Sequence, residues 1–282
     1  MWSIGIYTGH SPFHLQPPAD NTNPVLTCAD VTDIPAEFVA DPFMVQHAGR
    51  WHMFFEVMNS ETGRGEIGLA TSDDAFSWTY EQIVLNEAFH LSYPYVFEWR
   101  GEHYMIPETL GASAACLYKA EDFPRRWSMQ RKLIDGPNAD PSIVYFDDLW
   151  WLFVCATPYG HDVLRLYFAR ELEGPWKEHP GSPIVRNDKC RARPAGRIIP
   201  VGQRIARFSQ DCLPDYGTRV RAFEISELTR DRYVEVEHKR SPILSPSGND
   251  WNAMGMHHVD AHQLAEDKWI ACVDGRFGVH IV

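Results

Sequence analysis

A hairpin recurs along this chain about every 50 residues. Its turns fall at Gly49, Gly101, Asp148, Gly202 and Asp267, which are 52, 47, 54 and 65 residues apart, and alternating apolar residues flank them, as in Trp51-His-Met-Phe-Phe55 and Leu149-Trp-Trp-Leu-Phe-Val154. A second phrase runs from Ala70 to Trp78, from Ala120 to Trp127, from Ala169 to Trp176 and, more weakly, from Ile225 to Tyr233, so that an aromatic returns after 49, 49 and 57 residues. Repetition at this period, with several strands per unit and no 3.6-residue periodicity, predicts the blades of a β-propeller. Five hairpins predict five blades, each an inner strand, a second strand, a third strand and an outer strand. The third strands are expected at Glu66–Thr71, Ala115–Lys119, Leu164–Ala169 and Val220–Ile225. The whole chain, residues 1–282, is thus expected to form one all-β, five-bladed domain. The fifth blade lacks chain for its last strands, so the opening strand Trp2–Tyr7 is predicted to complete it and close the ring, leaving no long bare edge. The Pro-rich stretch from Ser11 to Pro24 is then a crossing loop.

Composition agrees with this and removes other classes. Aromatics make up 36 residues, ten of them Trp, and Gly and Pro together 39, which favours strands and turns over helices. A formal charge of -12 repels polyphosphate and anionic membranes, so neither nucleic acid nor a membrane is an expected partner. The longest apolar run, Leu149–Ala156, is far short of the ~20 residues of a spanning helix, and no basic-then-apolar leader opens the chain. The expectation is a cytoplasmic protein. Its six cysteines are scattered without a C-x-x-C pair and are expected to be reduced.

The repeat also locates a funnel. If each inner strand starts at one face of the ring and the second strand returns to it, the paired ends are Asp41 with Glu56, Tyr93 with Glu108, Asp140 with Thr157, Arg193 with Gln210 and His258 with Asp274. The separations are 15, 15, 17, 17 and 16 residues. Ten polar positions are thereby expected around one axis, where packing alone would place small or apolar residues. The competing reading is a hydrogen-bonded network that ties the blades together.

Two resemblances rest on these residues. Phe54-Phe-Glu56, His90-Leu-Ser-Tyr-Pro94, Tyr104-Met-Ile-Pro-Glu108, Gly174-Pro-Trp176 and Ala192-Arg-Pro-Ala-Gly196 resemble the propeller-like domain of glucosamine inositolphosphorylceramide transferases, from about Trp2 to Tyr233. More distantly, Asp41-Pro-Phe43 and Asp140-Pro-Ser-Ile-Val-Tyr-Phe-Asp-Asp-Leu-Trp-Trp151 resemble the five-bladed glycosidases around glycoside hydrolase family 43. The latter implies Asp41 as general base and Asp140 as the carboxylate that tunes the acid. It also implies a glutamate acid at the mouth of blade four, where this chain has Arg193. The acid is then expected at Glu108, between the two aspartates and beside Ile106-Pro107, with Glu56 as the alternative.

Glycoside cleavage needs one carboxylic acid at the leaving oxygen and one carboxylate to activate water or attack the anomeric carbon. The expected function is therefore a glycoside hydrolase acting on a glycan or glycoside, with Asp41, Glu108 and Asp140 catalytic. Glu56, Tyr93, Arg193, Gln210, His258 and Asp274 are expected to bind substrate, with Tyr93, Tyr95 and Trp251 as stacking platforms. Arg193 lies among seven basic residues between Arg186 and Arg207, of which Arg191, Arg193 and Arg197 share strand parity, and its fork suits an anionic substrate group. The alternatives are a noncatalytic carbohydrate-binding propeller, an accessory domain of a glycosyltransferase, or a phosphorylase. No cofactor is expected. At His257-His258 the family 43 resemblance implies proximity to a central calcium, but hydrogen bonding is the preferred role and no metal is assigned. Gly63-Arg-Gly-Glu-Ile-Gly68 matches G-x-G-x-x-G, yet a strand pattern follows it, so it is expected to be a hairpin turn. Trp78, Trp127 and Trp176 are expected in blade cores.

Overall fold

The computed structural model describes residues 1–202 and 204–278 and consists of five four-stranded antiparallel sheets arranged as the blades of a propeller. Blade one contains β3 (Ala36–His47), β4 (Arg50–Asn59), β5 (Arg64–Ser72) and β6 (Thr79–Leu85). Blade two contains β7 (Ser92–Trp99), β8 (Glu102–Glu108), β9 (Ala114–Asp122) and β10 (Arg126–Asp135). Blade three contains β11 (Ala139–Phe146), β12 (Leu149–Cys155), β13 (Leu164–Ala169) and the short β14 (Lys177–Glu178). Blade four contains β15 (Ile199–Val201), β16 (Arg204–Asp211), β17 (Arg219–Leu228) and β18 (Tyr233–Glu237). Blade five takes β19 (Val259–Ala265) and β20 (Lys268–Arg276) from the end of the sequence and β1 (Trp2–Ser11) and β2 (His14–Gln16) from its start.

The N-terminal closure is therefore present: β1 pairs with β20 from Trp2↔Arg276 to Gly9↔Trp269. The Pro-rich stretch is more than the expected crossing loop, because its first part forms β2, the outer strand of the closing blade. Local chemistry explains the repeat. The hairpins at Ala48-Gly49, Arg100-Gly101 and Asp147-Asp148 have positive φ at both residues, the type I′ geometry whose twist matches that of paired strands. The recurring tryptophan closes the turn before each outer strand: Nε1–H of Trp78 donates to Ala75 O (3.0 Å), that of Trp127 to Pro124 O (2.9 Å) and that of Trp176 to Leu172 O (3.1 Å). Gly63 lies at φ +64° between β4 and β5, the turn expected there. Apolar clusters fill the seams between neighbouring blades, as where Ile4, Ile6 and Cys272 of blade five pack with Val39, Met53 and Phe55 of blade one. All six cysteines are free thiols.

Each of the first three inner strands carries a bulge where it opens toward the axis. Asp41, Tyr93 and Asp140 each precede a proline and sit at φ 52°, 48° and 49°. The ladder skips there, so Ala40 pairs with Glu56 and Ser92 with Glu108, while Ala139 pairs with Cys155. The mouth residue stands one position beyond the pairing that simple counting gives. A left-handed φ on a residue with a Cβ costs ~1–3 kcal/mol and re-aims its side chain.

Candidate functional site

The bulges aim their residues into one network. Arg193 Nε donates to Asp140 Oδ2 at 2.5 Å, and Nη2 reaches Asp140 Oδ1 at 3.4 Å and Glu108 Oε2 at 3.5 Å. Its Nη1 donates to Pro158 O at 2.9 Å and lies 3.1 Å from His161 Nδ1, while the guanidinium carbon sits 4.9 Å from the Tyr216 ring centroid. Gln210 Nε2 donates to Asp140 Oδ2 (2.8 Å) and Pro194 O (3.0 Å). On the opposite wall, Asp274 Oδ1 accepts the N–H groups of His257 and His258, both at 3.0 Å, and Asp274 Oδ2 lies 2.6 Å from His257 Nδ1. Asp41 Oδ1 lies 3.8 Å from His257 Nε2 and 3.6 Å from His258 Nδ1 without a hydrogen-bond partner. Glu56 faces His90 Nε2 at 3.3 Å.

Burial sorts these groups. Asp41, Glu56, Glu108 and Arg193 keep 5%, 6%, 6% and 8% exposure, whereas Asp140, Gln210, His258 and Asp274 are at 1% or 0%. The first four can meet a ligand; the others lie behind them. Burial raises the Asp41 carboxyl to about 7 although the neighbouring His257 opposes it, and burial drives Glu56 well above the carboxylate range, with Asp41 next in effect. Asp140 is likewise raised to about 7 by burial against the pull of Arg193. Burial works against the Arg193 cation, yet Asp140 holds it well above its ordinary value. Burial also opposes both members of the His257–Asp274 pair, but their contact raises the histidine and lowers the aspartate, while burial takes His258 down to about 4.

Several expectations change here. Tyr93 is fully buried and cannot stack on a sugar: its hydroxyl bonds Ser142 Oγ at 2.7 Å and accepts from Gly196 N–H at 2.5 Å, because its positive φ turns the ring inward. Tyr95 is also buried, its hydroxyl donating to Ile143 O at 2.6 Å. Trp251 packs over Gly5 and Gly275 and lines a separate groove of about 430 Å³ with Tyr7 and Asn23. Thr157 lies beyond β12, where its Oγ1 donates to Asp162 Oδ1 (2.9 Å) and organises the loop at the mouth. Arg191, Arg193 and Arg197 do not act as one face: the inner edge of blade four is interrupted, with an isolated bridge at Pro194↔Ser209 before the regular ladder starts at Ile199, and the three arginines end on Glu235 (3.1 Å), Asp140 and Asp260 (2.6 Å). Sequence reasoning missed Tyr216, His161 and Trp2. Trp2 stacks on His257 with centroids 3.9 Å apart, a contact made by ring closure.

The cluster of Asp41, His257 and Asp274 brings three potential ligand atoms within 4.8 Å. It does not suit calcium, which takes six to eight oxygens, because one member is an imidazole already paired with Asp274. The close contact with His257 and the backbone N–H groups of His257 and His258 engage Asp274, whereas Asp41 Oδ1 is buried without a hydrogen-bond partner.

Residues 1–276 match the family described as glucosamine inositolphosphorylceramide transferase 1, N-terminal. The chain belongs to this family. The transferase 1 proteins of Oryza sativa subsp. japonica and Arabidopsis thaliana are 40% and 36% identical to it over 295 aligned positions, covering 97% of this chain in both cases. This member of the transferase N-terminal family spans about 40% of the length of those relatives, 40% and 39% respectively. Among solved structures, the catalytic domain of the Coprinopsis cinerea family 62 α-L-arabinofuranosidase matches with a TM-score of 0.63 at 13% identity over 95% of this chain and 96% of that one. A thermostable family-43 glycoside hydrolase matches with a TM-score of 0.63 at 15% identity over 90% and 91%. The chain thus shares the fold of these propeller glycosidases. Among the described residues no helix is long and apolar enough to cross a membrane.

Proposed function

We propose that the funnel binds a sugar, and that this propeller serves glycosyl transfer as a carbohydrate-recognition domain. The observation that carries this reading is Arg193. It stands where the hydrolase resemblance implies an acidic glutamate, and its fork is spent on Asp140, Glu108 and Pro158 O. A guanidinium so occupied has little left for an anionic ligand. Asp41 and Glu56 keep slight exposure and, unlike Glu108 and Asp140, are not bound to Arg193, although Asp41 Oδ1 is enclosed and Glu56 faces His90. Carboxylate oxygens accept from sugar hydroxyls and, more strongly, from an ammonium. Burial holds both carboxyls toward their protonated form near neutrality, and an ammonium beside them favours the ionised form, so an amino sugar would bind with release of a proton; the name of the relatives, which contains glucosamine, supports that choice.

Calorimetric titration of the protein with glucosamine, glucose and N-acetylglucosamine tests this. Binding of glucosamine in preference to glucose, weakened at least tenfold in Asp41→Asn, is the expected result. Equal affinity for all three, or none, overturns the amino-sugar assignment.

A second reading, hydrolysis, is favoured by one feature: Asp41 holds its proton with an affinity near neutrality and has an unpartnered oxygen, as a general base requires. In it Asp41 is the base, Glu108 the acid and Asp140 the supporting carboxylate. Incubation with aryl glycosides and oligosaccharides, with and without phosphate, decides. Free sugar whose release is lost in Asp41→Asn and Glu108→Gln supports hydrolysis, sugar phosphate supports a phosphorylase, and neither product leaves binding as the function.

A further inference from the structure

On the face opposite the funnel, the inner hairpins of blades one and two bring together three side chains that no sugar chemistry uses. His47 ends β3, Glu98 lies near the end of β7, and His103 is its direct partner on β8. One ligand atom from each lies within 4.8 Å of the others. The His47 and His103 rings have centroids 4.8 Å apart at 85°, so they meet edge to face. His103 is only 6% exposed, and its Nε2 has no hydrogen-bond partner although Glu98 Oε2 is 3.9 Å away. An imidazole nitrogen buried without a partner is costly unless something occupies the space before it. Its ring is fixed by stacking on Phe123, centroids 3.7 Å apart at 21°.

We propose that His47, Glu98 and His103 bind one divalent transition-metal ion of the zinc type, which ties blade one to blade two. Two imidazoles and a carboxylate are the donor set that such ions take, in preference to calcium or magnesium. Ligand atoms about 2.0–2.2 Å from a tetrahedral ion lie about 3.4 Å apart. Separations of up to 4.8 Å, with His103 Nε2 and Glu98 Oε2 at 3.9 Å, must close by as much as about 1.4 Å, a movement open to the exposed His47 and Glu98 side chains around the fixed His103. Three protein ligands leave the fourth position to water. His52, its Nδ1 also buried without a partner, packs on the same Phe123 and supports the cluster from behind.

Zinc chloride alone, titrated into metal-free protein and followed by calorimetry and melting temperature, is the test. Wild type is expected to take up one equivalent and to melt higher when loaded. The double variant His47→Ala, Glu98→Gln, altered only at exposed positions, should melt like metal-free wild type yet bind zinc at least a hundredfold more weakly. Cobalt substitution should give the visible bands of a four-coordinate ion in wild type and lose them in the variant. The proposal is overturned if wild type binds no zinc, or if the double variant binds it as tightly, which would place the ion elsewhere, for example at Asp41, His257 and Asp274.

Discussion

The backbone N–H of Asp140 donates to Glu108 Oε2 at 3.1 Å, so the acidic end of blade two is bound to the opening residue of blade three. The same relationship joins blades five and one, where Asp41 N–H donates to Asp274 Oδ2 at 3.2 Å. In both seams a residue in left-handed conformation presents its N–H to a carboxylate of the preceding blade. These acids hold the ring together whatever else they do.

Arg193 neutralises the first seam. Removing one member of a buried ion pair leaves the other charge uncompensated and costs ~3–5 kcal/mol. Arg193→Met should therefore lower stability by that order, measured by urea unfolding, and Arg193→Lys should recover part of it, because an ammonium keeps the charge but not the fork. Wild-type stability in Arg193→Met would mean that Asp140 and Glu108 do not rely on the guanidinium.

Asp41 gives a pH signature. Its folded value of about 7 lies above the ordinary 3.8, so its protonated form favours the fold at low pH and that contribution is lost as pH rises through about 7. Asp41→Asn, which cannot ionise, should match wild type near pH 4 and exceed it at pH 8 by on the order of 4 kcal/mol. Urea midpoints of both proteins at pH 4, 6 and 8 read this directly; a constant difference would show that Asp41 is not held protonated by burial.

Deletion of residues 1–10 removes the strand that pairs along β20 from Trp2↔Arg276 to Gly9↔Trp269. The buried faces of Ile4, Ile6 and Trp2 go with it, and the edge of β20 is bared. A large fall in melting temperature or aggregation in size-exclusion chromatography is expected. An unchanged melting curve would contradict the closure.

Tyr159 is 88% exposed in the loop that carries Pro158, the carbonyl partner of Arg193, at the rim of the funnel. Tyr159→Ala should leave stability within ~0.5 kcal/mol, as surface changes do. If the bound glycan extends past the rim, oligosaccharide affinity should fall by the roughly 0.5–1.5 kcal/mol that an aromatic face contributes. Titration with mono- and oligosaccharides separates the cases, and equal affinity of wild type and variant for the longer ligand excludes the loop from the site.

The blades were legible in the sequence because each is a local object: a two-residue turn with positive φ, alternating strands, and a tryptophan that caps the next turn. Asp41, Glu56, Glu108 and Asp140 were legible for the same reason, being fixed by distance from those turns. Arg193 was legible in the same way, but the shared face expected of Arg191, Arg193 and Arg197 was not, because strand parity holds only in a regular ladder and the pairing before Ile199 is interrupted, with an isolated bridge at Pro194↔Ser209. Tyr93 was misjudged because a proline bulge reverses where its ring points. Tyr216 and Trp2 had no local signal at all, since loop geometry and ring closure bring them to Arg193 and His257 from distant parts of the chain.

The closing blade also sets how the molecule responds to force. The N–H of Phe277 donates to Met1 O at 2.9 Å, so the two ends of the antiparallel β1–β20 pair lie side by side. Tension drawn between them loads the ladder one rung at a time, beginning at Trp2↔Arg276, instead of shearing all rungs together. Between Met1 and Phe277 the β1–β20 pair is thus oriented for unzipping, whereas each of the other four blades is built from consecutive strands joined by covalent turns.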